Sequence, residues 1–123
     1  MPYQIHLPEN SPVLELQYQG LVPTTELLSC INEAITLAEK HQRNRVLTDC
    51  QELTGGFHLA DLYKEIERLS TAPLPAGMRE AIIQAKDPSM QEMVNFWQTA
   101  CLNRGLNVAV FPDRQTALKW LQA

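Results

Sequence analysis

Residues 45–66 read RVLTDCQELTGGFHLADLYKEI, and this stretch decides the fold. Arg45–Asp49 has the apolar content of a short buried strand, and a loop containing Gly55 and Gly56 then leads into an amphipathic helix. In an open α/β sheet, ligands and partners usually bind beyond the carboxyl ends of the parallel strands. We therefore expect any function to lie between Asp49 and Asp61.

The length and composition of the chain predict one globular domain. A chain of 123 residues fits a single domain, 1–123, and is too short for two ordinary ones. Its content of 45% hydrophobic and 20% charged residues is typical of a folded protein. No apolar run approaches the roughly 20 residues that cross a bilayer, and the start MPYQIHLPEN has no basic region followed by an apolar stretch. We expect a soluble, cytoplasmic protein without a transmembrane segment.

Charge and cysteine content argue against several functional classes. The net charge is −4, and the ten Lys and Arg residues are scattered, so a nucleic-acid-binding surface is not expected. Cys30, Cys50 and Cys101 are too far apart for a CxxC pair, which argues for reduced thiols. The three histidines are also widely separated. We therefore predict neither a metal site nor a cofactor.

Hydrophobic periodicity places strands and helices in alternation. The predicted strands are Tyr3–Leu7, Val13–Tyr18, Arg45–Asp49, Met78–Ala85 and Leu106–Phe111. The predicted helices run from a Thr24 cap to about His41, from Leu59 to Leu69, from about Asp87 to Gly105, and onward from Asp113. The order ββαβαβαβα predicts a single α/β domain with a mixed, mostly parallel five-stranded sheet, four helices and one antiparallel pair.

Two local questions have alternative answers. The third helix has two candidate caps, because Ser89 and Glu92 are spaced as a capping box while Asp87 precedes Pro88. Trp120 is either a core-edge residue of the monomer or part of a homodimer contact.

The element order and several short segments resemble the SpoIIAA-like group of the STAS and SEC14-like domains. The segments are YQG at 18–20, RVLTDC at 45–50, LADLYKEIERL at 59–69, RG at 104–105 before VAVF, and ALKWL at 117–121. The resemblance covers nearly the whole chain and implies a SpoIIAA-like, STAS-type domain.

The regulatory switch of the wider family is not expected in this chain. In its anti-sigma-factor antagonists, a serine near the start of the helix that follows this strand is phosphorylated. The corresponding stretch here, residues 56–63, reads GFHLADLY and contains neither Ser nor Thr. The nearest hydroxyl belongs to Thr54, so we expect no phosphorylation switch at this helix.

The junction also holds residues that could support nucleophilic chemistry. Cys50 and His58 flank the loop, and Asp49 or Asp61 could orient the imidazole. Proximity in sequence shows no contact, however, and an Asp at a strand end more often organises the loop. Gly55–Gly56 is more often a turn than an anion cradle. We therefore predict no catalytic residue and no enzyme activity.

Two hypotheses follow for function. We favour a noncatalytic protein-interaction or regulatory module, whose partner-binding or ligand-binding residues are Asp49, Cys50, Thr54, Gly55, Gly56, Phe57, His58 and Asp61. The alternative is a SEC14-like carrier of a small apolar ligand or lipid, with a pocket bordered by Phe57, Leu59, Leu74 and Met78. An apolar cavity beside Phe57 and Met78 would favour the carrier, and a solvent-facing apolar patch would favour the interaction module.

Overall fold

Strands and helices alternate along the chain in the predicted order. The computed structural model describes residues 2–123. The strands are β1 (Tyr3–His6), β2 (Val13–Leu21), β3 (Arg45–Gly55), β4 (Arg79–Ile83) and β5 (Asn107–Phe111). The helices are α1 (Thr24–Lys40), α2 (Leu59–Thr71), α3 (Pro88–Asn103) and α4 (Arg114–Leu121). The predicted single α/β architecture with five strands and four helices is confirmed.

The strands lie in the sheet in the order in which they occur in the sequence, β1-β2-β3-β4-β5. β1 is antiparallel to β2, and the other neighbours are parallel. The three helices that connect adjacent parallel strands, α1, α2 and α3, pack on one face of the sheet, and α4 packs on the other. The domain therefore has three layers, with three helices on one face of the sheet and one helix on the other.

β3 is longer than its sequence pattern predicts. We expected the strand to end at Asp49, but it continues to Gly55. The extension forms because β2 also continues past Tyr18, and its last residues pair with Glu52, Leu53 and Gly55. The segment contains polar residues and so lacks a clear strand pattern in the sequence, but pairing with β2 stabilises it as a strand. The prediction of a loop from Cys50 to His58 was wrong for most of its length.

Each face of the sheet buries its own core. In β4, Ala81 and Ile83 face α4, whereas Ile82 faces the layer formed by α1, α2 and α3. Alternate residues of the same strands belong to the two cores. Because both faces of the central strands are buried, their sequences are nearly continuous apolar runs.

Helix termini settle one open question and correct one prediction. Asp87 caps α3, because its Oδ1 accepts hydrogen bonds from the backbone N–H groups of Ser89 at 2.9 Å and Met90 at 3.2 Å. Thr24 does not cap α1, since the cap position is Pro23. The Thr24 hydroxyl instead donates to Oδ2 of Asp61 on α2 at 2.9 Å, a tertiary contact that the local sequence does not reveal.

Trp120 packs at the edge of the smaller core. Its ring centroid lies 5.6 Å from that of Phe111, and the Arg79 guanidinium lies 5.4 Å from the indole centroid. Trp120 is thus a partly buried residue at the edge of the core within one chain. Within residues 2–123, no helix is both long enough and apolar enough to cross a membrane.

Candidate functional site

The predicted site residues at the end of β3 mainly hold the local structure together. The Asp49 carboxylate accepts hydrogen bonds from the Gln51 backbone N–H at 3.0 Å and from the Gln51 side-chain amide at 3.2 and 3.3 Å. Asp49 thus organises the chain beside it. Thr54 is exposed, within the strand.

Cys50 and His58 do not form an activated pair. The Cys50 side chain is buried in the core beneath α1, α2 and α3, whereas His58 is exposed at the start of α2. Burial raises the pKa of the Cys50 thiol, which keeps the sulfur protonated and a poor nucleophile. Among residues 2–123, no hydrogen bond joins these two side chains, so the geometry offers no support for thiol chemistry here.

The two glycines bring two backbone segments close together. The Gly55 carbonyl accepts a hydrogen bond from the Val22 N–H at 2.8 Å. A Cβ atom on Gly56 would lie 2.5 Å from the Val22 backbone, closer than any side chain allows. Phe57 follows and is buried. Gly55–Gly56 therefore serves close chain packing, and this space is not available to an anion.

Asp61 connects the starts of two helices. One of its carboxylate oxygens, Oδ2, accepts from the Thr24 hydroxyl at 2.9 Å and from the His58 backbone N–H at 3.1 Å. The Thr24 hydrogen bond, followed by the backbone hydrogen bond, lowers the pKa of Asp61. The carboxylate thereby stabilises the first turn of α2 and fixes it against α1.

An apolar cavity lies elsewhere, between the sheet and the layer of α1, α2 and α3. This cavity has a volume of about 160 Å³. Its wall is mainly apolar and includes Leu16 and Val46 from the sheet, Ile31 from α1, Leu69 from α2 and Val94 from α3. The cavity is partly open to solvent, so it is a pocket between the layers rather than an enclosed void.

The cavity lies toward the amino ends of the parallel strands. Leu74 and Met78, from the connector before β4, line it together with Leu106 and Asn107 at the start of β5. Two of the four predicted pocket residues are thus on its wall. The other two are not: Phe57 packs into the core at the opposite end of β3, and Leu59 is exposed. Of the eight predicted site residues, Cys50 is the one that the structure places on the cavity wall.

A single carboxylate interrupts the apolar wall. Glu80 Oε2 accepts a hydrogen bond from the Thr48 hydroxyl at 2.6 Å, and Oε1 accepts from the Trp97 indole N–H at 2.9 Å. Desolvation by burial raises the pKa of Glu80, and these two hydrogen bonds oppose the shift. An acid in a cleft whose pKa is raised by desolvation is a candidate for a functional role.

The sequence contained a signal for Glu80 that our interpretation missed. Charged residues Arg79 and Glu80 are adjacent at the start of β4, so one of them must face inward on the side of α1, α2 and α3. Period-two alternation places Glu80 on the same face as buried Ile82. Our prediction placed Glu80 within the strand Met78–Ala85 but did not assign its residues to the two faces, so this inward-facing carboxylate was missed.

Two further surface features lie outside the cavity. A polar groove between α1 and α2 contains Arg68, which pairs with Glu65 and also donates to the side-chain oxygen of Asn32. Apolar side chains are exposed at Leu21, Leu59 and Tyr63, near the end of β2 and on α2. Within residues 2–123, no group of three or more His, Cys, Asp or Glu side chains is arranged to bind a metal ion.

Comparison with known proteins supports the fold. The chain is similar to an uncharacterised protein of the DUF3478 family from Shewanella loihica PV-4, whose crystal structure has a SpoIIAA-like fold. The TM-score is 0.58 at 18% sequence identity, and the match covers 97% of this chain and 91% of the other. No protein-family model and no curated protein matches the sequence. The SpoIIAA-like fold predicted from the sequence is thereby confirmed.

Proposed function

We propose that this SpoIIAA-like domain binds and carries a small apolar ligand in the cavity beneath α1, α2 and α3, without catalysing a reaction on it. The observation that carries the proposal is the cavity of about 160 Å³ with its largely apolar wall. An apolar cavity of about 150 Å³, engineered into another protein, binds benzene. The space here therefore suits a ligand of similar size.

The volume of the cavity also argues against transport of a lipid. A cavity that accommodates about one benzene ring is far too small for a two-chain lipid. A long acyl chain would require the helices to move away from the sheet, at the cost of core contacts such as those of Val94 and Leu69. The small-ligand form of the carrier hypothesis is the one that fits.

Ethylbenzene provides a direct test of the cavity. We expect saturable binding, detected by shifts of cavity methyl resonances in NMR spectra and by a higher Tm. At a ligand concentration of 100 times Kd, the expected stabilisation is about 2.7 kcal/mol. Replacing Ala34, a buried cavity residue on α1, with Leu should fill the space and weaken binding by at least about tenfold.

The matched control is Ala60→Leu, because Ala60 is exposed on α2. This variant should bind ethylbenzene as the parent does. Failure of ethylbenzene to bind the parent, or equal binding by the folded Ala34→Leu variant, would contradict the proposal. Circular dichroism and amide NMR spectra establish that each variant is folded.

A second candidate function is the interaction module, for which the exposed apolar side chains are the supporting observation. Leu21 is 68% exposed, and Leu59 and Tyr63 on α2 are each 48% exposed. Affinity capture from an extract of the native cell should recover a specific protein with the parent and lose it with Leu59→Glu. Leu102→Glu is the control, because Leu102 is 51% exposed on α3. Identical capture by both variants would argue against this surface.

A further inference from the structure

Glu80 lies within an apolar row of the sheet. The residues paired across the strands at this level are Leu14, Val46, Glu80 and Val108. Leu14, Val46 and Val108 are all buried on the side of α1, α2 and α3. An aliphatic residue at position 80 would complete this row, so packing alone does not explain the carboxylate.

The internal hydrogen bonds leave part of the carboxylate's bonding capacity unused. Each oxygen accepts one hydrogen bond, from Thr48 or from Trp97. An ionised carboxylate offers about four acceptor positions. The ion pairs among residues 2–123 involve other acids, and none includes Glu80. Glu80 is partly buried, and a carboxylate that has lost part of its hydration without gaining a cation is destabilised, so a cationic donor in the cavity would offset that cost.

Charge discriminates between the possible head groups of a ligand. An anionic ligand, such as a carboxylic acid at neutral pH, would bring a second negative charge into a low-dielectric space beside Glu80. A purely apolar ligand would fill the space but leave Glu80 without a compensating charge. An ammonium group supplies both the opposite charge and up to three N–H donors.

We propose that the ligand class is a small apolar primary amine, with its hydrocarbon part in the cavity and its ammonium group hydrogen-bonded to Glu80. This inference rests on the proposed function and specifies the chemistry of the same cavity. The cavity volume of about 160 Å³ limits the ligand to the size of one ring with a short substituent. Benzylamine is therefore the appropriate probe.

The test compares three ligands of similar shape at pH 7: benzylamine, ethylbenzene and benzoate. We expect benzylamine to bind roughly 10–100-fold more tightly than ethylbenzene, the range that a charge-assisted hydrogen bond provides. Benzoate should not bind measurably. The Trp97 indole N–H resonance should shift with benzylamine, because Trp97 shares its acceptor with the ligand.

The Glu80→Gln variant isolates the carboxylate. Gln can accept from Trp97 and donate to the Thr48 oxygen, so the two internal hydrogen bonds have replacements. In this variant, the preference for benzylamine over ethylbenzene should fall at least about tenfold, with ethylbenzene affinity retained. Glu92→Gln, at an exposed position on α3, is the matched control and should keep the parental preference.

The outcomes separate this inference from the proposed function. If neither ethylbenzene nor benzylamine binds the parent, the proposed function itself fails. If ethylbenzene binds but benzylamine binds no more tightly, the amine assignment is wrong and the carrier proposal stands. An unchanged preference in folded Glu80→Gln would also overturn the assignment. If that variant does not fold, the parent protein provides the test. Its affinity for benzylamine must fall on acidification, because Glu80 is then protonated, and an unchanged affinity would overturn the assignment.

Discussion

Gly56 is the residue on which the junction between β3 and α2 depends most. Its φ of +108° is rare for residues with a side chain, and the Val22 backbone occupies the space where a Cβ would lie. Neither segment can move easily, because the Val22 N–H is bonded to the Gly55 carbonyl. At this position, steric exclusion and backbone conformation both require glycine.

We predict that Gly56→Ala destabilises the domain by about 2 kcal/mol or more, because strain and a backbone clash act together. Gly20→Ala is the matched control, since Gly20 also has a positive φ of 68° but has no atom within 4 Å of a built Cβ. It should cost only roughly 1–2 kcal/mol. Urea denaturation measures both, and equal losses would show that the contact with Val22 contributes nothing.

A charged pair on α2, whose two side chains differ in solvent exposure, connects α2 to α1. The Glu65 side chain is 3% exposed, whereas that of Arg68 is 47% exposed. Arg68 donates to both Glu65 oxygens, at 2.8 and 2.7 Å, and to Asn32 on α1 at 2.7 Å. The acid thus lies inside the helix interface and is neutralised by a guanidinium that reaches solvent.

Removing the arginine should cost more than an ordinary surface ion pair. Arg68→Met leaves a buried, unpaired carboxylate, and we expect a loss of roughly 1–3 kcal/mol in unfolding free energy. Lys86→Met breaks the exposed pair with Glu52 and should cost less than about 1 kcal/mol. The double variant Glu65→Leu with Arg68→Met should recover most of the loss, and an absence of recovery would contradict this account.

For the whole molecule, Glu80 predicts an unusual contribution to the pH dependence of stability. Burial raises its pKa in the folded state, so the native protein binds this proton more tightly than the unfolded chain does. The stabilisation from protonation is complete below the ordinary carboxyl pKa and is lost as pH rises through the folded-state value. Asp61, Asp87 and Asp113 have lowered pKa values and act in the opposite direction.

The difference in unfolding free energy between the parent and Glu80→Gln is free of the contributions of those three aspartates, because both proteins contain them. We expect the two to be similarly stable below pH 4, and the variant to be more stable at pH 7 by about 1 kcal/mol. Urea denaturation across this range gives the difference. A flat profile for Glu80→Gln would refute the costly ionisation of Glu80.

Local patterns predicted the elements well where one strong signal decided them. The helix from Leu59 was placed at its observed start, and Asp87 was one of two candidate caps for α3. The end of β3 was missed because its last residues are held by pairing with β2 rather than by their own periodicity. Thr24 was taken for a cap because its actual partner, Asp61, lies 37 positions away in sequence.

The sequence by itself determined the order of elements and the mostly parallel sheet, because periodicity and turn residues are local and repeat in every segment. The SpoIIAA-like fold was implied by the resemblance of this order and of several short segments. Only the tertiary structure decided where the cavity that we propose as a ligand site lies. The cavity depends on how three helices pack over the sheet, and its distinctive residue, Glu80, meets Thr48 and Trp97 from different elements. Such contacts join distant positions, and no local pattern encodes the space between them.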